Sequence, residues 1–200
     1  MPVNHLIFDI GNTLINFDLH LVSERLADLF DVSEEDIYDF IFKSEFFVKF
    51  EKGDIGPEEL VSILNQHFRQ DLTVNSFDQV FSPIFSPRMK MVNLIDRLRQ
   101  EFELSLLSNT NVLHSRYLES HYSFLLQFDY RFYSHTLRTK PNEEIYQLVL
   151  SRTLSDPREC LFIDDIEMHV EGARKSGIDA IQFQGEEQLE IELKKRRILK

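Results

Sequence analysis

The sequence predicts an α/β fold, a doubly wound parallel sheet that carries an inserted α-helical cap. Two observations lead to this prediction. Short apolar runs that end in polar residues alternate with helical patterns along most of the chain, which is typical of βαβ units and a mainly parallel sheet. One segment, residues 17–83, interrupts the alternation, since it has helical patterns and no convincing strand.

The length and composition suit one folded domain, or one core domain with a smaller insertion. The chain has 200 residues, of which 42% are hydrophobic and 28% are charged, so a substantial buried core is expected. It carries 34 acidic and 22 basic residues, a formal net charge of −12. A surface of that sign repels nucleic acid and anionic membranes, and we therefore expect neither as a partner.

Cysteine usage and hydropathy indicate the compartment. Cys160 is the only cysteine, which excludes an internal disulfide and suits a reducing environment. No apolar run approaches the roughly 20 residues that are needed to span a bilayer. The N-terminal residues lack the basic region of a signal peptide and enter a strand-like run at once. We therefore predict a cytoplasmic protein.

Each apolar run has the length and the continuous hydrophobicity of a strand that is covered on both faces. The polar residue that closes such a run marks the carboxyl end of the strand. The predicted strands span residues 6–9, 104–108, 125–133, 160–164 and 180–183.

The helices between these strands are indicated by their end signals. Ser86 and Pro87 match the N-cap and the first residue of a helix that runs to about residue 101. Residues 142–151 and 167–176 form two further predicted helices. Strand and helix therefore alternate through the second half of the chain.

The interrupting segment is predicted to be a helical cap. Its helical patterns start near residues 21, 33 and 57. Because the segment follows the first strand, we place it over the carboxyl end of that strand, where open parallel sheets bind their ligands. The chain is thus divided into a core of residues 1–16 and 84–200 and a cap of residues 17–83.

Phenylalanines are concentrated in the cap. An aromatic lining of this kind would shape a substrate pocket, although phenylalanine more often serves the core. The clustered residues are Phe40, Phe42, Phe46, Phe47 and Phe50.

Polar residues that could take part in catalysis or in binding lie at the ends of the predicted strands. The carboxyl ends of parallel strands meet at one edge of the sheet, so we expect these side chains to converge on one crevice under the cap. The candidate site residues are Asp9, Gly11, Asn12, Ser108, Asn109, Lys140, Asp164 and Asp165.

This set of residues suits phosphoryl transfer. Clustered carboxylates without soft ligands favour a hard ion such as Mg²⁺, which binds one or two carboxylates together with substrate phosphate. A carboxylate can also be the nucleophile and form an aspartyl phosphate. The reaction further needs a lysine and hydrogen-bond donors around the phosphate oxygens. Ser108 and the backbone N–H groups beside Gly11 and Asn109 are candidate donors.

Four segments in this order resemble the haloacid dehalogenase (HAD) superfamily. The match is closest to its phosphatase branch with a helical cap after the first motif, and it covers nearly the whole chain. Details around Ser108, Lys140 and Asp164 are similar to sugar-1-phosphate phosphatases of that branch. The four motifs correspond to residues 9–13, 106–109, 140–141 and 162–165.

The resemblance implies a role for each candidate residue. Asp9 would attack phosphorus, Ser108 would hold the phosphate and Lys140 would neutralise the transferring group. Mg²⁺ would be bound by Asp9, the carbonyl of Gly11 and Asp165, with Asp164 acting through a water molecule. Gly11, Asn12 and Asn109 would complete the phosphate site. The implied function is Mg²⁺-dependent hydrolysis of a small phosphate monoester, with a sugar phosphate as the expected substrate.

Gly11 departs from the family pattern, in which a second aspartate serves as general acid and base. That help is worth about 10²–10⁴ in rate. Asp18, His20 and His169 are candidate replacements for it. One alternative is therefore a slow or silent member that binds a phosphorylated ligand or a protein partner. A metal-independent haloacid dehalogenase is less favoured, because the pair Asp164-Asp165 would have no task there.

Overall fold

The computed structural model describes residues 2–137 and 139–199, and strands alternate with helices within them. The strands are β1 (His5–Phe8), β2 (Ile15–Phe17), β3 (Phe85–Pro87), β4 (Glu103–Ser108), β5 (Tyr130–Tyr133), β6 (Cys160–Asp164) and β7 (Asp179–Gln182). The α-helices are α1 (His20–Phe30), α2 (Glu34–Phe42), α3 (Glu45–Lys52), α4 (Pro57–Phe68), α5 (Val74–Phe81), α6 (Met89–Leu98), α7 (Val112–His121), α8 (Glu143–Thr153), α9 (Glu167–Lys175) and α10 (Glu186–Lys195).

Five strands form one parallel sheet in the order β5-β4-β1-β6-β7. β1 lies at the centre of the sheet, between β4 and β6. Phe8 is paired with Leu106 of β4 and with Ile163 of β6, so these three strands end at the same edge. The predicted α/β class with a doubly wound parallel sheet is confirmed.

The continuous hydrophobicity of the strands is explained by burial on both faces. Side chains alternate across a sheet, so Leu6 and Phe8 enter one core cluster and Ile7 enters the other. The first cluster includes apolar residues of α6 and α10, and the second includes those of α8 and α9. Helices therefore cover both faces, and the carboxyl edge of the sheet is left for ligands.

The run over residues 125–133 is only partly a strand, which corrects the prediction. Ser123–Gln127 forms a 3₁₀ helix, and the strand is confined to Tyr130–Tyr133. Leu125 and Phe128 are buried in the first core cluster, but they reach it from a helical turn and from the residue that follows it. A short apolar run has the same composition in either conformation, so periodicity does not separate the two.

The helix predicted from Ser86 begins instead at Met89, since Ser86 and Pro87 belong to β3. β3 pairs antiparallel with β2, and Ser86 lies opposite Asn16. Proline restricts φ to a value that suits both the first turn of a helix and an extended edge strand, so the local signal was ambiguous. The pairing with β2, a distant part of the chain, decides the outcome.

Helices α1 to α5 share a hydrophobic core of their own, which we call the cap core. This confirms a helical insertion between β1 and the rest of the sheet. The chain enters the insertion through β2 and leaves it through β3, and these two strands pair as a ribbon. Two of its helices, α3 and α5, were missed in the sequence. Each has eight residues, so the apolar face spans about two turns and its periodicity is weak.

Among the described residues, no helix is long and apolar enough to cross a membrane. The longest helix, α4, has 12 residues, whereas about 20 are needed for a span. This agrees with the lack of a long apolar run in the sequence.

His5 is expected to make the fold sensitive to acid. Its ring is buried between the hydroxyls of Ser155 and Ser105, at 2.9 and 2.7 Å, and burial lowers its pKa to about 4. The unfolded chain therefore binds a proton more readily between pH 6.5 and 4, and stability is lost as the pH falls through that range. From pH 7.5 to pH 5, His5 should account for about 2 kcal/mol of lost unfolding free energy.

Urea unfolding of the wild type and His5→Gln at pH 7.5 and pH 5 measures this contribution. The variant should lose less stability on acidification than the wild type does. His121→Gln, which changes an exposed histidine, should keep the wild-type difference. An equal loss in the wild type and His5→Gln would contradict the assignment.

Candidate active site

The site starts from two aspartates at the ends of adjacent strands. Asp9 directly follows β1 and is buried, and its backbone N–H donates to the carbonyl of Ile163 in β6 at 2.9 Å. Asp164 ends β6 and is fully buried, and Asp165 follows it. Each of the three carboxylates has an oxygen that lies within 4.8 Å of the corresponding oxygens of the other two.

Lys140 lies between the first two carboxylates. Its Nζ donates to Asp9 Oδ1 at 2.6 Å and to Asp164 Oδ2 at 2.5 Å, and only 3% of the residue is exposed. The lysine comes from the loop before α8, distant in sequence from both partners. We call Asp9, Lys140, Asp164 and Asp165 the charged cluster.

Asn109, just after β4, holds the backbone of Lys140. Its side-chain carbonyl accepts the N–H of Lys140 at 2.9 Å, and its side-chain amide donates to the carbonyl of Lys140 at 3.0 Å. This pair of bonds ties the loop after β4 to the loop before α8. The position of the lysine is therefore fixed by an amide at the end of another strand.

The electrostatics of the cluster follow from burial and from Lys140. Burial raises the pKa of Asp9 to about 6, against the opposing effect of the Lys140 ammonium. For Asp164, burial acts in the same direction, but Lys140 and His169 outweigh it and lower the pKa. Burial alone would lower the pKa of Lys140, yet Asp9 and Asp164 raise it, so the lysine stays protonated. One cation thus faces three carboxylates.

His169 supports Asp164 from behind. Its Nδ1 lies 3.1 Å from both oxygens of Asp164, and the backbone N–H of Ile166 donates to Oδ1 at 2.8 Å. The hydroxyl of Tyr146 donates to the carbonyl of His169 at 2.7 Å. Asp164 is therefore surrounded by donors, whereas Asp165 is only half-buried.

The donor set fits a hard divalent cation. Asp9, Asp164 and Asp165 supply carboxylate oxygens within a few ångströms of one another, and no thiol takes part. Oxygen ligands of this kind suit Mg²⁺ rather than a softer metal. Three carboxylates face the single ammonium group of Lys140, and a bound metal cation would neutralise the remaining negative charge.

The predicted phosphate-binding residues flank the cluster. Gly11, Ser108 and Asn109 line a cavity of about 170 Å³ next to it. Asn12 has a left-handed backbone, with φ 52°, and its N–H donates to the carbonyl of Ile15 at 2.8 Å. Asparagine tolerates this conformation better than most residues, so the loop after β1 turns sharply at Asn12. The sequence-predicted residues are thus brought to one edge of the sheet.

The cap supplies the other wall of the cavity. Of the clustered phenylalanines, Phe47 lines it, together with Phe17 of β2 and Phe85 of β3. Phe40 instead stacks on His67, away from the cavity. The predicted aromatic lining is therefore correct for Phe47 among the five clustered phenylalanines. The β2–β3 ribbon contributes Phe17 and Phe85, which the sequence did not indicate.

Two features of the cavity were missed in the sequence. A Cβ atom at Gly11 would lie 2.9 Å from Cε1 of Phe17, so the Phe17 ring occupies the space beside the glycine. Glu51, near the end of α3, also lines the cavity. In the sequence, Glu51 is marked only by its position two residues before Gly53, the glycine that ends α3. The short α3 has no clear periodicity, so the sequence does not indicate that this carboxylate faces a cavity.

Comparisons with known proteins agree with this geometry. A family model described as haloacid dehalogenase-like hydrolase matches residues 3–177. The chain is similar to a D-ribitol-5-phosphate phosphatase of Bacteroides thetaiotaomicron, at 22% identity over 188 residues, or 90% of this chain and 91% of that protein.

Solved structures of similar proteins have the same fold. A HAD family enzyme from Bacteroides thetaiotaomicron, in complex with magnesium and inorganic phosphate, is 25% identical and superposes with a TM-score of 0.80 over 92% of this chain and 96% of its own. A predicted HAD-like family hydrolase from Porphyromonas gingivalis is 26% identical, with a TM-score of 0.81 over 98% of this chain and 99% of its own.

Removal of the positive charge of Lys140 should destabilise the fold. In Lys140→Met, Asp9 and Asp164 remain buried without their partner, and we expect a loss of about 3–5 kcal/mol in unfolding free energy at pH 8 with chelator present. The loss should be smaller at pH 5.5, because protonation of one carboxylate relieves the repulsion. Urea unfolding followed by circular dichroism measures both values.

Lys195→Met is the matched control, since Lys195 forms an exposed ion pair with Glu192. It should change stability little at either pH. If Lys140→Met were as stable as the wild type at pH 8, the lysine would not be compensating the two carboxylates.

Proposed function

This chain belongs to the haloacid dehalogenase-like hydrolase family, and we propose that it is a Mg²⁺-dependent phosphatase of small phosphate monoesters. The observation that carries the proposal is the charged cluster, in which Lys140 bridges Asp9 and Asp164 while a carboxylate oxygen of Asp165 lies within 4.8 Å of an oxygen of each. A nucleophilic carboxylate, a buried cation and an oxygen-rich cation site are the parts that phosphoryl transfer needs.

Asp9 is the nucleophile. A carboxylate oxygen attacks phosphorus, the bond from phosphorus to the ester oxygen breaks, and an aspartyl phosphate forms. Water then attacks phosphorus, the bond to Asp9 breaks, and inorganic phosphate leaves. The Nζ of Lys140, 2.6 Å from Oδ1 of Asp9, favours the charged carboxylate and holds it in place.

Lys140 also neutralises the negative charge that builds up on the transferring phosphoryl group. Ser108 and Asn109 lie at the end of β4 beside the cavity, where hydroxyl and N–H groups can bind phosphate oxygens. Gly11 allows the backbone to approach closely, and Asn12 fixes the turn of the loop. Asn109 has the second role of anchoring the lysine.

Asp9, the carbonyl of Gly11 and Asp165 would hold Mg²⁺, with Asp164 acting through a water molecule. When bound, the ion supplies charge neutralisation and orientation for the phosphate oxygens. The structure of the related Bacteroides enzyme with magnesium and inorganic phosphate supports this cofactor. Asp164 suits an indirect role, because Lys140, His169 and the N–H of Ile166 already bind it.

Residues 17–83 serve as the cap and residues 1–16 and 84–200 as the catalytic core. The cap closes on the core through α3. The Ser134 hydroxyl donates to the carbonyl of Glu51 at 2.8 Å, and the Asn111 side chain donates to its carboxylate at 3.1 Å. These contacts place cap side chains against the cavity beside Ser108, where the organic part of the substrate would be selected.

The substrate class is a small sugar or polyol phosphate. A cavity of about 170 Å³ beside the charged cluster has room for a small organic group. The curated relative that acts on D-ribitol 5-phosphate supports a polyol phosphate. The resemblance of the motifs to sugar-1-phosphate phosphatases makes glucose 1-phosphate the second ester to test.

The alternative is a slow or silent family member that binds a phosphorylated ligand or a protein partner. The observation in its favour is the glycine at position 11, whose neighbouring space is filled by Phe17. Against it, Asp9, Lys140, Asp164 and Asp165 form a complete and mutually compensated cluster. A binding protein would not need a nucleophile held by a buried cation.

Phosphate release from ribitol 5-phosphate, glucose 1-phosphate and other monoesters tests the proposal. With Mg²⁺ the wild type should release phosphate, and a chelator should abolish release. Asp9→Asn should reduce release to the background without enzyme, because an amide does not attack phosphorus. Asp18→Asn, a change of an exposed aspartate in the same segment, should stay active. A folded wild type that releases no more phosphate than Asp9→Asn would refute the phosphatase.

A further inference from the structure

The chemistry proposed above leaves one proton without a source. An alkoxide leaves phosphorus poorly unless it receives a proton as the bond breaks, and a positioned acid is worth about 10²–10⁴ in rate. Gly11 has no side chain, and the Phe17 ring fills the space beside it. The donor must therefore come from another part of the cavity wall.

The three replacements suggested by the sequence are not placed for this task. Asp18 is exposed and accepts the backbone N–H of His20 at 2.9 Å at the start of α1. His20 is also exposed and stacks on Tyr38. His169 is bound to Asp164. None of the three lines the cavity.

We propose that Glu51 of α3 is the general acid and general base of this enzyme, an inference that rests on the proposed function. Among the described residues that line the cavity, Glu51 is the one carboxylic acid. It shares that lining with Gly11, Ser108 and Asn109, the residues expected around the phosphate. The cap therefore provides the acid that the loop after β1 lacks.

The carboxyl group of Glu51 is held by the core. The side-chain amide of Asn111 donates to Glu51 Oε1 at 3.1 Å, and its nitrogen also lies 3.1 Å from Nδ1 of His114. The carbonyl oxygen of Asn111 accepts the N–H of His114 at 2.9 Å, which caps α7. The orientation of the amide is thus fixed at both ends.

The remaining oxygen of Glu51 is available for a proton. The structure gives Oε2 no hydrogen-bond partner among the described residues. The backbone of Glu51 is anchored by the Ser134 hydroxyl, which bonds to its carbonyl at 2.8 Å. One oxygen and the backbone are therefore fixed, while the second oxygen is left to the cavity.

The surroundings favour a carboxyl group that carries a proton. Burial raises the pKa of Glu51, and the bond from Asn111 opposes this only in part. The titratable groups beside it are His114 of α7 and His135 of the 3₁₀ turn that contacts α3. Burial lowers the pKa of both, to about 3 for His114, so neither places a cation next to the carboxyl group. Lys52 follows in the chain and is exposed.

The proton balance closes over one turnover. As Asp9 displaces the ester oxygen from phosphorus, the Glu51 carboxyl group gives its proton to that oxygen, and the alcohol leaves. Glu51 is then a carboxylate. It takes a proton from the water that attacks the aspartyl phosphate, while the bond between phosphorus and Asp9 breaks. Inorganic phosphate, free Asp9 and protonated Glu51 are regenerated.

Glu51→Gln tests the assignment with two kinds of ester. Glutamine keeps the shape of the side chain and can still accept the Asn111 bond, so the fold should be retained. For ribitol 5-phosphate, or glucose 1-phosphate if the wild type prefers it, kcat/KM should fall by about 10²–10⁴-fold. For 4-nitrophenyl phosphate, kcat/KM should be largely retained, because nitrophenolate leaves without a proton.

The second half of the reaction gives an independent readout. With 4-nitrophenyl phosphate, Glu51→Gln should release a burst of one nitrophenol per active site and then turn over slowly. Without a general base, the attack of water on the aspartyl phosphate becomes the slow step. Glu59→Gln, an exposed change on α4, should behave like the wild type with both esters.

The outcomes separate the two proposals. A wild type that hydrolyses neither ester with Mg²⁺ present would refute the phosphatase itself. A wild type that is active, combined with a Glu51→Gln variant whose kcat/KM falls equally for both esters or for neither, would refute the role of Glu51 alone. An equal fall for both esters is the result of a merely structural role.

Discussion

The structure depends on one buried cation between two carboxylates. Asp9 follows β1 and Asp164 ends the adjacent parallel strand β6, so the sheet brings their charges together in a place from which water is largely excluded. Burial of such a pair is costly unless a cation and hydrogen bonds compensate it. Lys140 supplies the cation, and Asn109 and His169 hold the two ends of the arrangement.

This constraint organises the rest of the molecule into two layers with different chemistry. The core presents charge at the carboxyl edge of the sheet, on loops that are tied to one another by side-chain to backbone bonds. The cap presents aromatic rings and a half-buried acid, Glu51, which is the one carboxylic acid among the described residues of the cavity lining, and the cap helices share a separate hydrophobic core. The cavity lies where these two surfaces meet, so its lining combines residues of the core, such as Ser108 and Asn109, with residues of the cap, such as Phe47 and Glu51.

The sequence predicted the elements whose signals are local. The strand that leads to Asp9 and the strands that end in Ser108 and Asp164 were recognised because both their faces are covered and their hydrophobic runs are continuous. The signals failed where composition was ambiguous. Ser86 and Pro87 suit a helix start as well as an edge strand, and the short α3 offered too few turns for a clear period.

By itself, the sequence determined the fold class, the helical insertion and the order of the polar residues that end the strands, because periodicity and position along the chain carry that information. Only the tertiary structure decided which groups meet. The bridge from Lys140 to Asp9 spans 131 positions, and the bond from Asn111 to Glu51 joins elements 60 positions apart. Such contacts depend on strand order and on how the cap packs against the sheet, and a linear pattern does not specify either.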